Sequence, residues 1–169
     1  MQSAQQAERG SHIGSPAPSD TPGVIGPPPL IYLSTLAAGF GLDALIGTGS
    51  MPLVVALPVG AGSIIAGVGL LGSFREAFRR AGTPIDPNAP SQVFVSDGPY
   101  RLSRNPAYLG MALTYAGIAI AANAPWALAP LPIAIAVIDR GVIAREERYL
   151  ARRFGTRYVQ YKRRVRRWL

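Results

Sequence analysis

Two short blocks hold most of the residues in this 169-residue chain that could do chemistry. The first is Gly98-Pro99-Tyr100-Arg101-Leu102-Ser103-Arg104-Asn105-Pro106-Ala107-Tyr108-Leu109-Gly110, and the second is the acidic pair Glu146-Glu147. Asn105 followed by Pro106 reads as an N-cap and a first helical residue, so a helix begins there with free backbone N–H groups and a positive dipole end. With Arg101 and Arg104 beside it, that helix start suits a carboxylate or a phosphate, and Tyr108 on the first turn could cover a flat heterocycle. At about 100° per residue, Glu146 and Glu147 flank an apolar stripe of Ile143, Leu150 and Phe154, so a carboxylate on that edge needs a cationic partner. The partner is either a nearby arginine (Arg145, Arg148 or Arg153) or a cationic ligand group. An amino acid moiety meets both demands, its carboxylate at Asn105-Pro106 and its ammonium at Glu146. The plainer reading makes Asn105-Pro106 a cap only, the arginines partners of lipid phosphates and the tyrosines interfacial anchors. With no cysteine and His12 as the single histidine, disulfides, thiolate chemistry and a His- or Cys-ligated metal are set aside.

The elements that must position these blocks are set by where charge is missing. From Pro27 to Met51 the only charged side chain is Asp43, and from Pro52 to Ser73 there is none. Each run supplies the roughly 20 apolar residues that cross a hydrocarbon core. A third uncharged run, Pro106 to Ile138, is too long for one crossing and holds a turn signal at Asn123-Ala124-Pro125-Trp126, so it reads as a helical hairpin with rather short arms. The expected fold is all-α and polytopic, with about four transmembrane helices over 30–48, 52–74, 106–122 and 125–140. Residues 75–105 and 140–169 form a cytoplasmic helical region that makes a cofactor pocket, and together 29–169 make one domain. Phe74 to Arg80 continues the second span to the interface, Gly82 stops it, and the proline-rich 83–90 cannot be regular helix. Gln92-Val93-Phe94-Val95-Ser96 reads as a short extended segment before a turn at Asp97-Gly98-Pro99. Residues 1–28, rich in Ser, Gly, Pro, Gln and Ala, read as a disordered tail without a secretory signal.

Of the 17 Lys and Arg residues, those after Ile138 are Arg140, Arg145, Arg148, Arg152, Arg153, Arg157, Lys162, Arg163, Arg164, Arg166 and Arg167. Arg75, Arg79, Arg80, Arg101 and Arg104 lie between the second and third spans, and the other two connections have none. Four crossings put both basic regions and both termini in the cytoplasm. Among spans, a basic surface faces anionic lipid headgroups; nucleic acid is not an expected partner.

Gly98-Pro99-Tyr100-Arg101, Arg104-Asn105-Pro106 and Tyr108-Leu109-Gly110, followed by Glu146-Glu147, Leu150, Phe154-Gly155, Tyr158, Tyr161 and Val165, resemble the C-terminal core of the membrane family of isoprenylcysteine carboxyl methyltransferases and phospholipid methyltransferases. The resemblance runs from about Gln92 onward, and the two blocks together are specific where neither is alone. It implies a helical membrane enzyme holding S-adenosylmethionine in a cytoplasmic pocket roofed by the C-terminal helices, with a lipophilic acceptor arriving from the bilayer. By position, Gln92, Val93, Phe94 and Val95 would meet the cofactor through backbone groups, and Tyr100, Asn105, Pro106, Ala107 and Tyr108 would line its adenosine and methionine parts. Glu146 would hold its ammonium, Arg104 and Glu147 belong to the same cofactor-binding set, and Arg140 would be the substrate-facing arginine. Many eukaryotic members have His where this chain has Asn105, so the likeness is to the bacterial branch and to an integral protein of the inner membrane. Asn cannot titrate near neutrality, which excludes a general base there and favours an acceptor that is already anionic, a carboxylate above all. Two other readings stand beside this one: a sterol-type reductase using NADPH, with Arg101 and Arg104 on its phosphates, which generally needs more spans, and a non-catalytic membrane scaffold.

Overall fold

The computed structural model describes residues 23–47, 51–83 and 93–169, and among these there is helix but no strand. Helix α1 is Pro28–Ile46, α2 is Leu53–Arg80 and α3 is Pro106–Ala121; α4, Leu131–Ile138, continues through a π turn at Asp139–Ile143 into α5, Ala144–Arg164. Short 3-10 turns at Gly98–Arg101 and Pro125–Leu128 precede α3 and α4. Pro28 and Pro106 sit in the first turns of α1 and α3, where a missing N–H costs nothing.

Pro28–Ile46, Leu53–Arg80 and Pro125–Arg164 are long and apolar enough to cross a membrane, and α3 is a shorter apolar helix of 16 residues. At 1.5 Å per residue α3 reaches about 24 Å, less than the ~30 Å of hydrocarbon. The stretch of 40 residues from Pro125 to Arg164, interrupted at Gly155, is longer than one crossing needs and must leave the hydrocarbon. Composition marks the exit: Leu131–Ile138 is uncharged, and Asp139 and Arg140 open the charged half. Side chains are arranged as a lipid solvent requires. Leu45 is 86% exposed, with Val54, Ile65 and Ile133 also outside, while Asp43 on α1 is only 9% exposed. The Asp43 carboxylate accepts the N–H of Trp126 at 3.1 Å, so the one charge expected in this stretch is occupied at the neutral end of the helices. Asn123, at φ 53, closes that end by exchanging two hydrogen bonds with the backbone of Met51, at 3.0 and 3.1 Å.

The tightest contact is the antiparallel pair α2 and α3. A Cβ placed on Gly60 would meet Ala121 N at 2.5 Å, and one on Gly117 would meet Gly60 O at 2.7 Å. One turn-pair further on, a Cβ on Gly67 would meet Gly110 O at 2.6 Å. Seven-residue spacing on both helices therefore makes a seam where backbones touch, and Ser63 Oγ donates across it to Leu113 O at 2.8 Å. In a bilayer, where burial of apolar surface gives no net drive, such close packing is what holds helices together. Tyr115, buried beside Tyr32, ties the other side by pointing its hydroxyl at the carbonyls of Ala127 (2.9 Å) and Thr35 (3.1 Å).

Of the segment expected as a tail, residues 1–22 lie outside the described residues, and Gly23 to Pro27 crosses the π turn. Gly23 O there accepts Arg145 Nη1 at 2.7 Å, and Ile25 lies directly against Gly141. Gln92 also lies outside them; Val93–Ser96 is irregular chain without a ladder partner. Helix α5 is interrupted at Gly155 (φ 52, ψ −130), a positive-φ conformation that favours glycine.

Candidate active site

Tyr108, on the first turn of α3, donates its hydroxyl to Glu146 Oε1 at 2.7 Å on the first turn of α5. The pair joins the two blocks across 38 residues of chain. Glu146 is half-buried, and no cation pairs with it among the described residues. Burial raises its pKa above the usual carboxylate range, and the Tyr108 hydrogen bond partly opposes this. Tyr100 stands beside it: burial raises the phenol's pKa first, and the negative charge of Glu146 raises it further. The Tyr100 ring leans on Phe74 and Phe78 at 6.4 and 6.2 Å, and its carbonyl accepts the Tyr161 hydroxyl at 2.7 Å. Helices α2, α3 and α5 thus meet at one tyrosine-lined carboxylate.

Glu147, the next residue, has a different environment. Its side chain is 7% exposed and meets Arg104 at 2.8 Å, Arg167 at 2.8 Å and Lys162 at 3.2 Å. Burial alone would raise its pKa, but hydrogen bonds from Arg167 and Lys162 and the charge of Arg104 hold it below the ordinary range. Arg104 therefore faces Glu147, with its side chain 8% exposed, and its Nε is buried without an acceptor among the described residues. The expected ion pairs of the glutamates with Arg145, Arg148 or Arg153 are not those formed by Glu147.

Asn105 is the N-cap residue of α3 by position, yet its side chain makes no capping hydrogen bond. Its Nδ2 donates instead to Arg167 O at 2.9 Å, and its backbone N–H donates to Ser103 Oγ at 3.1 Å. Pro106 is fully buried behind it, Ala107 is half-buried, and the helix start carries no side-chain cap. Phe94 anchors its loop to α5 through its ring, buried against Phe154 (5.5 Å), Tyr158 (5.8 Å) and Tyr161 (5.2 Å), with Arg157 over its face at 5.7 Å. Val93 is exposed and Val95 half-buried on either side.

Arg140 is exposed and lies elsewhere. It lines an open groove of about 790 Å³ with Leu128, Leu131, Ile135, Asp139 and Trp168, and Tyr100, Tyr108 and Glu146 are not among its lining residues. Within the expected cofactor region 140–169, the segment after α5 joins distant parts: Arg167 and Trp168 bond to Asp139, and Arg167 O accepts from Ser103 in the loop before α3.

A family model described as phospholipid methyltransferase matches residues 55–157, which contain nearly all of α2, all of α3 and α4, and most of α5. An uncharacterized protein of Haemophilus influenzae is 57% identical over 37 residues, which are 22% of this chain. The match covers 59% of that relative's own length. No solved structure matches.

Proposed function

The chain belongs to the phospholipid methyltransferase family, and we propose that it uses S-adenosylmethionine to methylate an anionic group on a lipophilic acceptor at the site of Tyr100, Tyr108 and Glu146. The observation that carries this is the half-buried Glu146 carboxylate, hydrogen-bonded by Tyr108 and without a cation among the described residues. A half-buried carboxylate with a hydrogen-bond donor and no cation suits a cationic ligand group. Donors that would suit a carboxylate are the start of α3, which has no side-chain cap, and Arg104 Nε, which has no partner among the described residues. That donor set fits a group with one ammonium and one carboxylate. S-adenosylmethionine, when bound, supplies a methyl group activated by a sulfonium.

The chain's own residues would act by binding and exclusion. Glu146 holds the ammonium, and Arg104 and the α3 N–H groups receive the carboxylate. Tyr100, packed on Phe74 and Phe78, walls the site from water. Gln92, Val93, Phe94 and Val95 would border the cofactor, with Phe94 fixing that stretch to α5. The site holds neither histidine nor cysteine, which favours an acceptor that is already anionic. Arg140, exposed at the charged end of a separate groove along α4 with Leu131 and Ile135, would face the acceptor as it approaches from the bilayer. The membrane sidedness follows the charge, with the basic end in the cytoplasm.

A thermal-shift comparison of the detergent-purified protein with S-adenosylhomocysteine, with NADPH and with neither tests this. Stabilisation by S-adenosylhomocysteine alone is expected. Stabilisation by NADPH instead would make the protein a reductase, and by neither would leave Glu146 without a cofactor role.

A further inference from the structure

The two sides of the Tyr108–Glu146 contact are held by one residue that belongs to neither. At Val165 the backbone turns extended (φ −119, ψ 132), and the residues that follow lie along the loop before α3. There Arg104 N–H donates to Arg166 O at 3.0 Å, while Ser103 Oγ and Asn105 Nδ2 both donate to Arg167 O, at 3.2 and 2.9 Å. The Arg167 guanidinium points the other way. It meets Asp139 Oδ2 at 2.9 Å in the π turn and both oxygens of Glu147, at 2.8 and 3.2 Å, on the first turn of α5. Trp168 Nε1 adds a bond to Asp139 Oδ1 at 3.1 Å. The main chain of Arg167 thus grips the start of α3, and its side chain grips the turn that carries Glu146.

We propose that Arg167 is a positioning residue: it sets the separation between the first turn of α3 and Glu146, and so the affinity of that site for an amino acid moiety, without touching the ligand. The proposal rests on the cofactor reading of Glu146 given above. It also accounts for Asn105. An Asn at that position ordinarily folds back to cap its own helix; held by Arg167 O, it leaves the helix N–H groups facing the site. The fork geometry matters, because a planar guanidinium reaches Glu147 through two nitrogens and Asp139 through a third, and an ammonium cannot.

The experiment uses the full chain in detergent and calorimetric titration with S-adenosylhomocysteine, on wild type, Arg167→Met, Arg167→Lys, Tyr108→Phe and the double variant Arg167→Met with Tyr108→Phe. Arg167→Met leaves Glu147 paired with Arg104 and Lys162, so the buried carboxylate keeps partners. Each Arg167 variant is expected to weaken binding by roughly tenfold, and the double variant to lose much less than the product of the two single losses, because both act on one contact. Unchanged affinity in Arg167→Met, or losses that simply multiply, would overturn the proposal. A ligand-free measurement separates it from the cofactor reading: amide exchange at Leu109, whose N–H bonds to Asn105 O at 3.1 Å, should quicken in Arg167→Met while the α2–α3 seam around Ser63 keeps its rate. If wild type binds no S-adenosylhomocysteine, the cofactor reading has failed. Exchange alone then decides on Arg167, an unchanged rate at Leu109 counting against it.

Discussion

Glu146→Gln removes one charge and keeps the shape, so it isolates what the carboxylate does. Deleting one partner of a desolvated, hydrogen-bonded charge pair costs on the order of 2 to 5 kcal/mol. Glu146 retains some accessible surface, and its raised pKa means that part of the attraction goes into ionising it. The lower part of that range applies, about 2 to 3 kcal/mol, or roughly 30- to 150-fold in Kd. Calorimetry with S-adenosylhomocysteine, which keeps the amino acid moiety, reads this directly. Acidity supplies a second signature. In the free protein the Glu146 pKa lies above the ordinary carboxylate value, and an ammonium ligand binds the ionised form, so affinity should be full above that raised pKa and fall as pH drops through it. Glu146→Gln should lose this pH dependence together with the affinity. The neighbouring Glu147→Gln is a poor control, because Glu147 closes a buried ion cluster; Glu76→Gln, in an exposed pair with Arg79 and Arg80, removes a charge without that damage. Near-equal Kd values for wild type and Glu146→Gln would refute the assignment, since an exposed carboxylate contributes only about 0 to 1 kcal/mol to a charged partner.

Glu147→Gln should lower the thermal stability of the detergent-solubilised protein by about 3 kcal/mol, because it leaves the buried Arg104 without its carboxylate and Arg167 with Asp139 alone. Because the folded-state pKa of Glu147 is depressed, this stabilisation is present above the unfolded pKa and is lost as pH falls through the folded one; the acid limb of a pH-melting profile should flatten in the variant. Gly67→Val should separate α2 from α3 and abolish folding, whereas Gly62→Ala, which meets nothing within 4 Å, should leave the melting temperature unchanged in the same scan. Asp43→Leu should cost about 1 to 3 kcal/mol by orphaning the Trp126 N–H, while Asp43→Asn keeps an acceptor oxygen and should leave S-adenosylhomocysteine affinity at the wild-type value. In intact cells, single cysteines at the exposed Ala122 and Thr156 should label from outside and only after lysis, respectively; the reverse pattern would invert the proposed topology.

The helices were legible because charge is so unevenly distributed: an uncharged run in a chain this basic leaves few alternatives to a span, and Asn123-Ala124-Pro125-Trp126 announced the break between α3 and α4. The direct hydrogen bond between Tyr108 and Glu146 was not legible, because the sequence asks only for a cation at Glu146 and a flat group at Tyr108. The division of labour between Glu146 and Glu147 was not legible. Adjacent helical residues point about 100° apart, and which of the two faces Tyr108 depends on where α3 sits. The π turn at Asp139–Ile143 compounds this, since one extra residue per turn shifts the phase of everything after it and defeats spacing counts from Arg140 to the glutamates. The hold of Arg167 on Ser103 and Asn105 joins segments more than 60 positions apart and leaves no periodic trace. Asn105 was read correctly as a helix start and incorrectly as its own helix's cap, because a local propensity yielded to a tertiary acceptor.

The helical course from Leu131 through the π turn to the break at Gly155 makes one rod serve two solvents. Glu146 stands eight residues beyond Ile138, about 12 Å along that rod, so a tilt of about 10° in the span carries the carboxylate sideways by about 2 Å. Tilt is how a helix adjusts to the thickness of its bilayer. The 2.7 Å contact with Tyr108 is made to a helix of a different length, α3, whose own accommodation to the same bilayer need not match. Bilayer thickness thereby becomes a mechanical input to the geometry of the carboxylate, transmitted by leverage through the helix instead of by any ligand.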